Sequence, residues 1–389
     1  MKVGMIGAGS IAQIMHLPYL AEIPDIEIEA LADPGANTTE TLGDRYNVPN
    51  RYRDSETLIQ EERNHLDGVV IATPMQTHAD LAISALEAGL HTFVEKPIAV
   101  TPEDAERVVE AADAADVDCM VGYMKRYDPG FQRFAELVDD IDQIDLATSV
   151  VIPPDVGSVL EDTYDLIQAD LDDSFIEESM AARQRQCEAA IGTEDETLTR
   201  AYGYHLESIC HDVNALRGVF GAVTGIDHVD VFSDWKYLTA QLRYEDDLRC
   251  MLESGATDRM WYDERIQVDA PDRSVSIGFS NAFIKNTPAD VRVKQGTEET
   301  EETIHTPSTD EAFKRELEHF KNCVEGNATR GRRRPTHSVT SNSLPTCSVS
   351  SRGMNWSANH GRNVTPNGTV DFFSTSGRIW KGLTPLSGQ

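Results

Sequence analysis

Lys2-Val3-Gly4-Met5-Ile6-Gly7-Ala8-Gly9-Ser10-Ile11-Ala12 is the stretch that decides the fold. Lys2 to Ile6 reads as a short buried strand, and a helical run toward Leu20 begins just after it. Between them stands G-x-G-x-x-A in a strand–turn–helix setting. In that setting Gly7 permits the tight turn, Gly9 lets backbone approach a pyrophosphate, and Ala12 lets helix pack on strand. The phosphates then face the helix N-terminus at Ser10 and Ile11, where amides without helical partners and the positive end of the dipole favour an anion.

Working outward, a second strand from Ile26 to Leu31 ends in Ala32-Asp33, about twenty residues beyond the loop. An acid at this place accepts hydrogen bonds from adenosine ribose hydroxyls and repels a 2′-phosphate. No Arg or Lys follows in Pro34-Gly35-Ala36-Asn37, which favours NAD over NADP. The alternative for Asp33 is a plain turn former. Next come the apolar strand Gly68 to Ile71, then Ala72-Thr73-Pro74, and a helix from about His78 to Ala88 ending at Gly89. Pro74 turns the chain over the adenosine side, and we place Thr73, Pro74, His78 and Glu95 with the cofactor. His78, near a helix start, reads as structural rather than catalytic.

His91-Thr92-Phe93-Val94 is strand-like and closes on Glu95-Lys96-Pro97. A lysine at the C-terminal lip of a parallel strand faces the crevice where an α/β sheet binds its ligand. There its ammonium can hold a substrate hydroxyl beside a nicotinamide or pass that hydroxyl's proton. Thr101-Pro102-Glu103-Asp104 then carries a helix-start signature, with a Thr cap, a Pro in the first turn and acids against the dipole. Another strand, Asp118 to Gly122, follows that helix. Alternating strands and helices imply a parallel, doubly wound sheet.

From about Tyr123 the pattern changes. β-like runs at 145–152, 223–232, 236–244, 248–254, 264–270, 274–279 and 290–294 predict a mostly antiparallel open sheet. Helical stretches near 128–139, 174–190, 205–220 and 309–324 interrupt it. The expected organisation is an N-terminal Rossmann domain over 1–122, an α+β domain over 123–325, and an atypical tail over 326–389. Substrate is expected between the two domains. In the helix near 205–220, Glu207, His211 and Asn214 share one face, while Asp212 is turned about 100° away. A carboxylate one turn before a histidine can orient the ring and raise its basicity, suiting it to remove a proton as hydride leaves carbon. A helix-surface histidine among acids is the competing reading in so acidic a chain.

The net charge of −32 and pI near 4.6 argue against nucleic acid or an anionic membrane as partner. Lys is scarce, nine against 25 Arg and 66 acids, a balance suited to solubility at high salt, so a halophilic source is expected. Six scattered Cys show no metal-ligand spacing and are expected as reduced thiols, with no metal. No apolar run approaches membrane-spanning length and the chain opens into a strand, so a cytoplasmic protein is expected.

Together these residues resemble the Gfo/Idh/MocA oxidoreductases, from Lys2 to about Glu325. The resemblance rests on the Gly7–Ala12 loop, Ala72-Thr73-Pro74 with His78, Ala88-Gly89 and Glu95-Lys96-Pro97. It extends to Gly122-Tyr123-Met124-Lys125-Arg126-Tyr127-Asp128-Pro129 and His211-Asp212-Val213-Asn214-Ala215-Leu216-Arg217. It implies an NAD(P)-dependent oxidation of a secondary alcohol on a sugar, cyclitol or related polyol, or the reverse reduction. By the same resemblance Lys96 is the substrate-binding, proton-relaying lysine, His211 the catalytic histidine, and Arg126 a residue lining the site. Many members carry Asp four residues before the histidine, where this chain has Glu207. Tyr204, as a substrate-binding residue, and His205 are further candidates on the same helix. A homodimer or homotetramer is expected by analogy. Two other activities fit the same fold: an NAD-dependent glycosidase, and a non-catalytic NAD-binding regulator.

After Glu325 the composition flips, to +7 over residues 326–389 against −39 over the first 325. A basic tail that binds an anionic partner is one explanation. We favour a frameshifted gene end, because a one-base shift would turn Ser codons of the TCN type into apolar ones at near-helical spacing. Sequencing the coding DNA against an uninterrupted relative decides between them.

Overall fold

The computed structural model describes residues 1–326, so the expected tail, apart from its first residue, lies outside the described residues. These divide into two units, one of residues 1–127, 157–183 and 310–326, the other of 128–156 and 184–309.

The first unit alternates strand and helix as its sequence predicts, with two further helices and a short strand between residues 36 and 62 that the sequence reading did not name. It runs β1 (Lys2–Ile6), α1 (Leu17–Glu22), β2 (Glu27–Ala32), α2 (Ala36–Tyr46), β3 (Asn50–Tyr52), α3 (Ser55–Glu62), β4 (Gly68–Ile71), α4 (His78–Glu87), β5 (His91–Glu95), α5 (Pro102–Ala114) and β6 (Cys119–Gly122). The strands form one parallel sheet in the order β3-β2-β1-β4-β5-β6. Central strands buried on both faces must be apolar throughout, and every residue of β4 and β6 is buried. The order reverses direction at β1, so the crevice for a ligand opens at the carboxyl ends of β1 and β4. Local signals set the helix ends. Thr101 Oγ1 accepts from Asp104 N at 3.0 Å with Pro102 in the first turn, and Gly89 takes φ +80° after α4. One departure is local: Ala12–His16 forms a π-turn before α1.

In chain order, the remaining elements are α6 (Pro129–Asp139), β7 (Leu146–Ile152), α7 (Val156–Thr163), α8 (Asp173–Ile191), α9 (Glu196–Phe220), β8 (Gly225–Phe232), β9 (Tyr237–Arg243), β10 (Arg249–Gly255), β11 (Asp263–Asp269), β12 (Arg273–Phe279), β13 (Asp290–Gln295), β14 (Glu301–His305) and α10 (Ala312–Val324). The second unit holds the sheet β14-β13-β12-β11-β7-β10-β9-β8, antiparallel except for the β7–β10 pair. Its strands alternate, as in β10, where Cys250 and Leu252 are buried and Met251 is exposed. The edge strand β14 escapes the sequence pattern because Glu301-Glu302-Thr303-Ile304-His305 is largely charged, as an edge facing water tends to be.

The division between units differs from the expected break at 122/123. Helix α10 and residues 157–183 join the first unit although the chain order puts them in the second. The reason is packing: α10 turns Phe313, Leu317 and Phe320 inward, where Phe313 meets the His16 ring and Phe320 the Phe93 ring, edge-on at 6.2 and 5.8 Å. Periodicity shows that α10 has an apolar face but not which surface receives it.

That face also carries Glu316, fully buried, with no hydrogen-bond partner for either carboxylate oxygen. Burial, and then the nearby charge of Glu95, push its pKa far above the carboxylate range, so the native side chain holds its proton. The unfolded chain releases that proton above about pH 4.3, so stability is lost as pH rises beyond that point. Glu316→Leu should therefore unfold at higher urea than wild type, by about 1–3 kcal/mol at pH 8, with the gap closing toward pH 4.5. A gap independent of pH would show that Glu316 is not held neutral.

Candidate functional site

The glycine loop is shaped by contact. Gly7 has φ +92°, and a Cβ there would lie 2.5 Å from the Ala72 carbonyl oxygen at the exit of β4. Its N–H donates to Ala32 O at 2.8 Å, so the loop is drawn against β2 and β4 together. Gly9 is the converse: it is exposed, and a Cβ there would meet nothing within 4 Å. Gly9 and Ser10 are exposed, Ile11 is half-buried and Ala12 fully buried, so amides at a helix start face open space while the helix packs on the sheet. This cradle fits a dinucleotide pyrophosphate.

Asp33 closes the loop from β2. Its Oδ2 accepts from Ala8 N at 2.8 Å, and its Oδ1 from Gly35 N at 2.8 Å and Thr38 Oγ1 at 2.9 Å. A carboxylate offers about four acceptor sites, and three are filled from within the protein. These bonds are those of the turn-forming reading of this residue. Gln13, which the motif does not single out, adds a second tie: its amide donates to Ala8 O at 2.8 Å and Ile167 O at 3.0 Å, and its Oε1 accepts from Ile167 N at 2.9 Å.

At the β4 exit, Thr73 is half-buried and Pro74 exposed, and Thr73 Oγ1 pairs with Thr77 Oγ1 at 2.7 Å. His78 is buried, with Nδ1 2.7 Å from Pro97 O and Nε2 2.7 Å from Thr73 O. Burial lowers its pKa against the pull of these two carbonyls. The ring bridges the loops after β4 and β5. Glu95 is also turned inward. Its Oε1 lies 2.7 Å from His16 Nε2, and its Oε2 accepts from Lys96 N at 3.1 Å. Burial would raise its pKa, but the His16 hydrogen bond and the charges of His16 and Lys96 prevail and hold it below the usual range. Of the two charged residues that end β5, Glu95 is buried and Lys96 half-buried at the lip. The Lys96–Pro97 peptide is cis.

In the second unit, α9 separates two faces. Ala201, His205, Ile209, Asp212 and Leu216 are buried, while Tyr204, Glu207, His211 and Asn214 form a half-buried stripe at spacings of three and four. His205, a candidate by position, is a core residue: Nδ1 meets Ser254 Oγ at 2.8 Å and Nε2 meets Trp235 O at 3.1 Å. Asp212 is fully buried and accepts from Ser149 Oγ at 3.2 Å. Tyr204 donates to Gly255 O at 3.1 Å, and burial pushes its phenol up to about 12. Arg126 sits half-buried in a 3₁₀ turn, Met124–Tyr127, of the first unit. Lys96 and Arg126 thus belong to one unit, and the stripe on α9 to the other. Among the described residues no cluster of His, Cys, Asp and Glu could hold a metal, and no helix is long and apolar enough to cross a membrane.

Residues 1–123 match the profile of the Gfo/Idh/MocA oxidoreductase family, NAD-binding Rossmann fold. The match spans the first unit's parallel sheet, about a third of the chain. The same region is 30% identical over 140 residues to myo-inositol 2-dehydrogenase of Thermotoga maritima, and 35% identical over 140 residues to the rhizopine catabolism protein MocA of Rhizobium meliloti. Each alignment covers 36% of this chain, and the chain spans about two fifths of the length of these curated relatives, 41% and 42%. Solved structures share the fold over more of the chain. Apo scyllo-inositol dehydrogenase from Lactobacillus casei superposes with a TM-score of 0.62 at 21% identity, covering 86% of this chain and 90% of that one. The 3-ketoreductase KijD10 from Actinomadura kijaniata, in complex with NADP and TDP-benzene, superposes with a TM-score of 0.62 at 18% identity, covering 85% and 91%.

The buried His205 sets a pH dependence of its own. Burial depresses its pKa to about 4. The unfolded chain takes up this proton near pH 6.5 and the native state only near 4, so acid favours unfolding across that window, by about 3 kcal/mol in full. Urea midpoints should fall between pH 6.5 and 4, and His205→Gln should flatten that slope. An unchanged slope in the variant would remove His205 as its source.

Proposed function

We propose that the protein is an NAD-dependent dehydrogenase that oxidises a secondary alcohol of a sugar, cyclitol or related polyol, or reduces the corresponding ketone. The observation that carries this reading is the exit of β5, where Lys96 stands at the lip of the same sheet that presents the glycine loop at β1. Glu95 is held inward by His16, and Lys96 follows it, half-buried, at that lip. The matched family profile and the inositol dehydrogenases among the relatives support the chemical class. Bound NAD supplies the hydride acceptor.

In this reading the amides at Ser10 and Ile11 hold the pyrophosphate, and Gly9 leaves the space for it. Asp33 fixes the loop through Ala8 and keeps one acceptor site for a ribose hydroxyl. Lys96 binds the reacting hydroxyl and lowers the cost of removing its proton. His211 is the partner base, with Glu207 one helical turn before it to orient the ring, and Arg126 and Tyr204 contribute to substrate binding. The same residues would favour reduction when the cofactor arrives reduced.

NADH absorbance with a panel of sugars, inositols and sugar acids, in molar KCl and with NAD and NADP in parallel, tests the class. Turnover with NAD is expected. Lys96→Ala should lower kcat by about 10²–10⁴ while leaving the NAD dissociation constant nearly unchanged. Glycoside cleavage without net NADH, or NAD binding with no turnover on any polyol, would replace the reading.

A further inference from the structure

Residues 164–172 carry no helix or strand, yet residues 167–170 are each tied to the dinucleotide end of the first unit. Ile167 pairs through both backbone groups with the Gln13 side chain, which itself donates to the glycine loop at Ala8 O. The Asn37 side chain, at the first turn of α2, does the same two residues on: Nδ2 donates to Gln168 O at 2.6 Å, and Oδ1 accepts from Asp170 N at 3.0 Å. Asn37 N in turn donates to Asp170 Oδ1 at 3.1 Å. Ala169 packs so tightly on Gly35 that a Cβ there would come within 2.7 Å of its methyl carbon. Beyond the strap, Ser179 Oγ on α8 accepts from Gln76 Nε2, after the β4 exit, at 2.8 Å. The segment therefore crosses the ends of β1 and β2 and is held again beside β4.

The crossing matters for which dinucleotide fits. A 2′-phosphate on the adenosine ribose would come to the turn after β2, seeking amides and cations there. Asp33 spends three of its acceptor sites on Ala8, Gly35 and Thr38, so its charge is partly neutralised by the loop it holds. Arg53 reaches the same turn, its guanidinium donating to Pro34 O, and would attract such a phosphate. Asp170 opposes it, for its carboxylate already accepts from an amide of that turn.

We propose that residues 164–172 are a cofactor-discriminating strap, in which Asp170 holds a carboxylate against the α2 amide that a 2′-phosphate would approach, so that its charge repels that phosphate and reserves the site for NAD. The proposal rests on the dinucleotide reading of the first unit. Gln13 and Asn37 are its positioning residues, and their side chains hold the strap. Asp165, Asp172 and Asp173 extend the acidic character along the same segment.

Nucleotide titration followed by intrinsic fluorescence, on the full chain, separates the outcomes. Wild type should bind NAD more tightly than NADP. Asp170→Asn keeps the acceptor for Asn37 and removes the charge, so NADP affinity should rise by about tenfold with NAD affinity almost unchanged. Asn37→Ala releases the strap and should speed NADH dissociation, read by stopped-flow displacement, by roughly threefold or more. An unchanged NADP-to-NAD ratio in Asp170→Asn, or a wild type that prefers NADP, overturns the strap's role. A folded wild type that binds neither nucleotide would instead overturn the dinucleotide reading beneath it.

Discussion

The closeness of two strand exits governs the dinucleotide end of the first unit. At Gly7 the chain leaving β1 passes so near the Ala72 carbonyl that no side chain fits, and it adopts a backbone conformation that L-residues rarely take. That approach sets the position of every amide from Ala8 to Ile11. Asp33 then locks it from the other side by accepting from Ala8 N, while Gln13 ties the same loop to Ile167. Pyrophosphate recognition needs amides that do not reorganise when an anion arrives, and this network holds them in place.

Behind the sheet the same unit buries charge in an ordered way. His16, Glu95 and Glu316 lie together: the first two are hydrogen-bonded, Glu95 is held ionised, and Glu316 is held neutral. One buried carboxylate has a donor and its neighbour has none, so their pKa values are driven apart. The arrangement fixes Glu95 inward and leaves Lys96 at the strand lip. It also explains why α10 belongs with the first unit, since its apolar rings close over this pair.

In α9 a single helix presents two faces at a spacing readable from sequence. Its buried face uses His205 and Asp212 as satisfied core groups, bonded to Ser254, Trp235 and Ser149. Its half-buried stripe carries Tyr204, Glu207, His211 and Asn214. Two histidines six residues apart on one helix thus meet opposite environments, because six residues is 240° of rotation.

The sequence alone determined most of the parallel sheet, the glycine loop and the strands of the second unit other than β14, for a physical reason. Each is encoded by neighbours a few residues apart, through burial periodicity, Gly at a forced turn, or a Thr-Pro cap. The stripe on α9 was legible in the same way. Tertiary structure alone decided what depends on residues distant in the chain. Sequence suggested Asp33 and Glu95 for the cofactor, but only packing shows Asp33 accepting from Ala8, Gly35 and Thr38, and Glu95 turned to His16. The membership of α10, the burial of His205 and the crossing of residues 164–172 over Gln13 and Asn37 were equally out of reach. A side chain's partner across 150 residues leaves no periodic trace, because hydrogen bonds between loops require only compatible groups and the right distance.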